Sequence, residues 1–137
     1  MIEDKSQEVK QDEEKQPAEK VRELLGQIAG HPSQEQIDAW KAEFNGELYV
    51  MAFSETELYI WRPLSRQEYI QCQTAAQEGQ LGQFQYEELV CDTCLLWPAN
   101  VRWVEKKAGS PVTLFEQIML QSNFIAPAAA SMLVAKL

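Results

Sequence analysis

The sequence predicts an α+β fold that is mostly helical, with one β-hairpin packed on a small bundle of helices. Apolar residues recur every three or four positions through most of the chain, which is the spacing of amphipathic helices. Helix-capping residues precede several of these stretches, and only residues 47–62 have the β-rich composition of strands. An isolated hairpin is marginally stable in water, so these strands need helices or another sheet to cover them.

The N-terminal residues 1–20 are rich in Glu, Gln, Lys and Asp and poor in apolar side chains. Such a segment cannot bury enough surface to offset its ordering entropy, so we expect a disordered or frayed helical tail. Residues 21–137 then form a single helix-rich domain. Pro17 suits the first position of a helix that ends at Gly30. The apolar face of this helix would carry Val21, Leu24, Leu25 and Ile28.

A second helix and the hairpin follow. Ser33 and the side chain of Gln36 can form a capping box at the start of this helix. The helix ends at Asn45 and Gly46, because both residues tolerate a positive φ. The hairpin is expected at about residues 47–62, where two β-rich runs flank a short polar turn.

Helices are expected again after the hairpin. Ser65 and Glu68 predict a capping box immediately after the strand that Pro63 ends. An amphipathic helix is expected near residues 86–96. The Ser-Pro pair at residues 110–111 predicts a further helix with Ser110 as its N-cap. Asn123 would end that helix, and Pro127 allows a last short helix through Met132 and Leu133.

The cysteines are the first candidates for chemistry. Cys91 and Cys94 form a Cys-x-x-Cys motif, and Cys72 with the single histidine, His31, could complete the four ligands of a zinc site. A motif inside a helix is unlike zinc-binding turns, and a thioredoxin-type motif would lie at a helix start. The favoured interpretation is three reduced, packed thiols with no metal and no cofactor, and a metal or redox site is the alternative.

No catalytic residue is assigned. Glu87, Glu88 and Asp92 lie on one helical face, where we expect a solvated surface and not an acid–base pair. The glycines at residues 79–82 lack the Lys-Ser/Thr of a phosphate-binding loop. The sequence therefore predicts a protein that is not an enzyme.

The charge balance limits the classes of partner. The chain has 21 acidic and 12 basic residues, a net charge of −9, which argues against nucleic acid as a partner. The most apolar stretch, residues 124–135, is shorter than the roughly 20 residues of a membrane-spanning helix. Cysteines without a secretory signal favour a reducing cytoplasm.

A partner-binding apolar surface is expected in the C-terminal part. Trp103 lies in an irregular basic segment, and residues 110–137 contain more large apolar side chains than two short helices need for one small core. The alternative is that all of these side chains belong to the core. The candidates are Trp103, Leu114, Phe115, Ile118, Met119, Phe124, Ile125, Met132 and Leu133.

Several short motifs within residues 34–124 carry a family resemblance. They follow an acidic helix that contains Trp40. They are Arg-Pro-Leu at residues 62–64, Ser-Arg-x-Glu-Tyr at 65–69, Cys-x-Leu-Trp-Pro at 94–98, Gly-Ser-Pro at 109–111 and Ser-Asn-Phe at 122–124. In this order they resemble the tail assembly chaperones, or baseplate hub assembly chaperones, of tailed bacteriophages. Asn123 stands where the family pattern has glycine.

The resemblance implies a non-enzymatic phage morphogenesis factor in the host cytoplasm. Its partner would be a phage tail, tape-measure or hub protein, held before assembly, and a homo-oligomer is a further expectation. The alternative function is a structural virion component, a neck, tail or baseplate protein of similar architecture. Neither nucleic acid nor a membrane is expected as a partner.

Overall fold

The computed structural model describes residues 16–137. The expected N-terminal tail lies outside this range except for its last residues, of which residues 17–20 form the first turn of a helix. The elements are α1 Pro17–Gln27, α2 Gln34–Glu43, β1 Tyr49–Ala52, β2 Leu58–Trp61, α3 Arg66–Glu78, α4 Gln83–Cys94, β3 Leu95–Trp97, a 3-10 turn Trp103–Glu105, α5 Ser110–Gln121 and α6 Pro127–Ser131. The mostly helical α+β fold predicted from the sequence is confirmed.

The predicted hairpin is part of a three-stranded antiparallel sheet with the order β1-β2-β3. Strands β1 and β2 pair with Val50 opposite Ile60. The third strand corrects the expectation of a helix up to residue 96, because the chain becomes extended at Leu95. Pro98 disfavours the helical conformation of the residue before it, and pairing of Trp97 with Ile60 satisfies the extended backbone.

Helices cover both faces of the sheet. Side chains alternate between the faces of a strand, which is why the neighbours Tyr59 and Ile60 can both be buried. Tyr59 and Trp61 pack into the main core together with residues of α3, α4 and α5. Ile60 and Val50 lie on the other face, towards α1 and α2. The central strand β2 is therefore apolar at every position.

The main core forms where α4 packs on α5, the most extensive helix pair. Val90 and Cys94 of α4 and Leu114 and Ile118 of α5 have no exposed surface. Helical spacing places each pair on one side of its helix. These residues fix the position of α5 and of the segment that follows it.

A capping box and an ion pair join the end of β2 to α3. The Glu68 N–H donates to the Ser65 hydroxyl and the Ser65 N–H donates to the Glu68 carboxylate, each at 3.1 Å, which confirms the predicted box. Arg62 donates to both carboxylate oxygens of Glu68, at 2.6 and 2.7 Å, and to the Thr93 carbonyl at 3.0 Å. This bidentate contact links β2, α3 and the end of α4.

Other predicted caps are partly confirmed. The Ser33 hydroxyl accepts from the Gln36 N–H at 3.1 Å, which is one half of the expected box. Asn45 and Asn123 have φ values of 57° and 70°, so both take the left-handed conformation expected after a helix. Ser110 is not an N-cap, because it is the first helical residue and Gly109 precedes it.

Candidate functional site: an exposed C-terminal apolar segment

Four of the nine expected partner-binding residues belong to α5 and to the core side of the protein. Leu114 and Ile118 are completely buried, which corrects their assignment to a binding surface. Phe115 and Met119 are half-buried and pack against the same core. The reason is the helical spacing of these side chains, which directs one face of α5 onto α4.

Trp103 is also a core residue and not an exposed anchor. Its side chain is 8% exposed, and its ring lies 5.4 Å from that of Tyr59. The indole N–H donates to the Asp92 carboxylate at 2.8 Å. The short 3-10 turn brings the indole to this position, so its apolar body is buried and its N–H is satisfied.

The end of α5 is held firmly, and this defines where the exposed segment begins. The Ser122 hydroxyl donates to the Ile118 carbonyl at 2.6 Å and accepts from the Leu64 N–H at 2.9 Å. Asn123 then reverses the chain, and the Phe124 N–H donates to the Met119 carbonyl at 3.0 Å. This reversal takes the following residues away from the core.

The remaining predicted residues lie in residues 124–137, here called the C-terminal segment. Phe124 is 41% exposed and its ring lies 4.9 Å from that of Tyr69, and Ile125 is half-buried. Met132 and Leu133 are 85% and 76% exposed. No residue of α6 is buried, and α6 ends at Ser131, so it is shorter than the sequence predicts.

Consecutive exposed apolar residues give the C-terminal segment its chemistry. Met132, Leu133 and Val134 are each at least 76% exposed, and Lys136 is the segment's single charged side chain. Exposed apolar residues that lie together are typical of protein-binding sites. Methionine in particular adapts to differently shaped partners, because its side chain is unbranched and flexible. The segment can bind an apolar surface.

The cysteines lie in apolar surroundings. Cys91 and Cys94 occupy the last turn of α4, and the Cys91 thiol donates to the Pro111 carbonyl at 3.3 Å. Burial raises the pKa of Cys91, and the nearby charge of Asp92 raises it further. Burial also raises the pKa of Cys94 to about 12, although the positive charge of Arg62 opposes it. Thiols with raised pKa values are weak nucleophiles and weak metal ligands at neutral pH.

The acidic residues of α4 agree only in part with the solvated surface expected from the sequence. Asp92 is exposed, and its carboxylate accepts the hydrogen bond of Trp103. Glu87 is 8% exposed and lies on the buried side of the helix with Val90, Cys91 and Cys94, which corrects its assignment to the solvated face.

A polar cleft of about 680 Å³ lies where the hairpin turn meets α5. The Glu57 carboxylate accepts from Tyr59 at 2.6 Å and from Ser110 at 2.8 Å. Lys106 and Lys107 also line the cleft. The Ser110–Glu57 contact could not be predicted from the sequence, because the two residues are 53 positions apart and no local pattern connects them. It connects two elements, and no histidine lines the cleft to activate the hydroxyl.

Comparisons with protein-family models, with curated proteins and with solved structures find no match. Within residues 16–137, no helix is long and apolar enough to cross a bilayer. In the same residues, no group of three or more His, Cys, Asp or Glu side chains is arranged to hold a metal ion.

Proposed function

We propose that the protein is a non-enzymatic binding protein that acts in phage morphogenesis and holds a tail, tape-measure or baseplate hub component before assembly. The observation that carries this proposal is the exposure of Met132, Leu133 and Val134 next to a firmly anchored helix end. Apolar surface of this kind is stabilised when a partner covers it.

The size of the C-terminal segment fits reversible binding. Complete burial of a large apolar side chain contributes about 1.5–3 kcal/mol. Because roughly four-fifths of Met132, Leu133 and Val134 is exposed, covering all three supplies roughly 4–7 kcal/mol before ordering costs. That amount suits a chaperone, which must release its client during assembly.

Charge supports the same function. The net charge of −9 keeps the protein soluble while it exposes apolar residues, and it attracts partners with cationic surfaces. Charged groups at the rim of an interface mainly affect the association rate and the choice of partner. We place the protein in the host cytoplasm, without a nucleic-acid or membrane partner.

The phage assignment is supported by the motif order that resembles tail assembly chaperones, from the Arg-Pro-Leu strand exit to the Ser-Asn-Phe helix end. These motifs shape strand and helix ends, as the capping box of Ser65 illustrates. They therefore support an architecture and carry no catalytic group. The second candidate is a structural virion component with the same architecture.

The test is affinity purification of the tagged protein from infected cells that contain the phage. The altered variant carries Met132→Asp and Leu133→Asp, and the matched control carries Phe84→Asp and Val104→Asp, two residues that are 74% and 83% exposed elsewhere. We expect a tail, tape-measure or hub protein to co-purify with the wild type and the control and to be lost from the altered variant. Equal recovery with all three would contradict the proposal.

Mass spectrometry of purified particles separates the two candidate functions. A chaperone is absent from mature particles although it binds its client in the cell extract. A structural component is present in the particles at a fixed ratio to other tail proteins, and its localisation is then the virion.

A further inference from the structure

A second apolar surface lies on the opposite side of the sheet from α3, α4 and α5. It is a groove of about 590 Å³ between α1, α2 and β1. Neither α1 nor α2 contains a buried residue, so these helices cover the sheet incompletely. The apolar residues that line the groove include Val21, Leu25, Ile37, Leu48, Val50 and Ile60.

The charge of the groove differs from that of the whole protein. The chain has 21 acidic residues, yet none of the described residues that line the groove is Asp or Glu. Arg22 and Lys41, one from each helix, lie among its lining residues. Asp38 of α2 is not a lining residue, although it accepts a hydrogen bond from the lining residue Gln34 at 2.9 Å. An apolar floor with a basic rim selects an apolar ligand that carries negative charge.

The groove also reaches the open edge of the sheet. In the described part of the chain β1 pairs only with β2. The Phe53 N–H donates to the Glu57 carbonyl. In an antiparallel pair every second residue bonds to the partner strand, so Tyr49 and Met51 bond to β2. The main-chain N–H and C=O of Val50, which lies between them, point away from β2. No described residue forms a hydrogen bond with this N–H or C=O. A free strand edge can pair with an additional strand.

We infer that the groove binds an extended peptide segment of another protein that presents apolar and acidic side chains on the same face. The segment adds to β1 as a fourth strand and bonds to the N–H and C=O of Val50. Every second side chain of such a strand points towards the groove. In the middle of the segment these side chains are apolar and enter the groove, and at its ends they are carboxylates that lie beside Arg22 and Lys41. Main-chain pairing provides affinity in this type of recognition, and the side-chain pockets provide specificity.

The C-terminal segment of a second copy fits the groove less well. Residues 124–137 contain no Asp or Glu and carry Lys136, which the basic rim repels. The two surfaces also lie on different sides of the molecule, because Phe124 packs on Tyr69 of α3. Binding in the groove is therefore independent of the function proposed for the C-terminal segment.

The probe is a dye-labelled peptide of about eight residues, long enough to pair along a short edge strand. Every second residue faces the groove, and these residues are glutamate, valine, valine and glutamate in order, with threonine at the other positions. The control peptide has lysine in place of glutamate. Fluorescence anisotropy with the full chain should show binding of the glutamate peptide at least about tenfold tighter than that of the lysine peptide. Arg22→Glu with Lys41→Glu should remove this preference. The matched variant Lys106→Glu with Lys107→Glu has the same net charge and should keep it.

A second measurement tests the strand pairing and the identity of the occupant. Amide hydrogen exchange of Val50 should slow when the glutamate peptide binds, and removal of residues 126–137 should not change peptide affinity. Equal binding of the two peptides, no protection of Val50, or an equal effect of both double variants would overturn the inference. The free chain could also dimerise, and Arg22→Glu with Lys41→Glu could abolish the dimer while the matched variant keeps it. This result would show that a second copy occupies the groove, and it would overturn the inference.

Discussion

Removal of residues 126–137 tests whether the C-terminal segment is a binding element or part of the core. The chain is cut after Ile125 because Phe124 packs on Tyr69 and Ser122 bonds to the main chain of Leu64. These contacts stay in the shortened protein. The deletion removes α6 and the exposed residues that follow it.

The expected loss of stability is small. Met132, Leu133 and Val134 are 76–85% exposed, so roughly a fifth of each side chain is buried. At about 1.5–3 kcal/mol for a fully buried side chain, the three together contribute roughly 1–2 kcal/mol, and this is an upper bound. The chain entropy recovered by removing ordered residues offsets part of it. We expect the free energy of unfolding to fall by about 1 kcal/mol, or about 4 °C in melting temperature for a chain of this length.

Urea unfolding followed by tryptophan fluorescence measures this difference, with Leu114→Ala as the control. Leu114 is completely buried between α5 and α4, so the control should lose about 2–5 kcal/mol. The reasoning is refuted if the shortened protein loses as much stability as Leu114→Ala, or fails to fold. Either outcome would show that residues 126–137 complete the core and do not form a free binding surface.

Three further predictions concern the cap, the ion pair and the thiols. Ser65→Ala should cost about 1 kcal/mol in urea unfolding, because the Glu68 N–H loses its acceptor, whereas an unchanged midpoint would contradict the cap. Burial alone would raise the pKa of Glu68, but hydrogen bonds from Arg62 and Ser65 lower it. The ion pair should therefore stabilise the protein fully above about pH 4.3, the pKa of Glu in an unfolded chain. This stabilisation should be lost as the pH falls through the lower pKa that Glu68 has in the folded protein. Glu68→Gln should lose about 1.5–3 kcal/mol at neutral pH and flatten this dependence, so parallel pH curves would refute the assignment. The three buried thiols should resist a thiol reagent at about pH 8 until urea unfolds the chain, and elemental analysis should find no zinc, whereas one equivalent per chain would contradict this prediction.

The local signals in the sequence determined most of the elements. Ser65 with Glu68 marked the start of α3, and Asn45 and Asn123 marked positions of positive φ. Each signal acts between residues that are at most a few positions apart, so its physical basis is the same in the sequence and in the folded chain. The hairpin was evident for the same reason, since its two strands are joined by a short turn.

The candidate site was predictable only in part. An excess of apolar residues near the C-terminal part indicated a binding surface, and the exposure of Met132 and Leu133 agrees with it. The sequence could not separate these residues from Leu114 and Ile118, because both sets are large and apolar and lie in or next to an expected helix. Only the packing of α5 on α4 decides which are covered.

Contacts between distant residues were decided by the tertiary structure alone. Strand β3 pairs with β2, Trp103 packs on Tyr59 and donates its N–H to Asp92, and Ser110 bonds to Glu57 across the fold. The two-sided burial of β2 and the groove beside β1 depend in the same way on where α1 and α2 lie. Such contacts form only between residues that folding brings together, so no local pattern in the sequence predicts them. Composition and spacing determine the helices and strands, and tertiary packing determines which of their faces stay exposed.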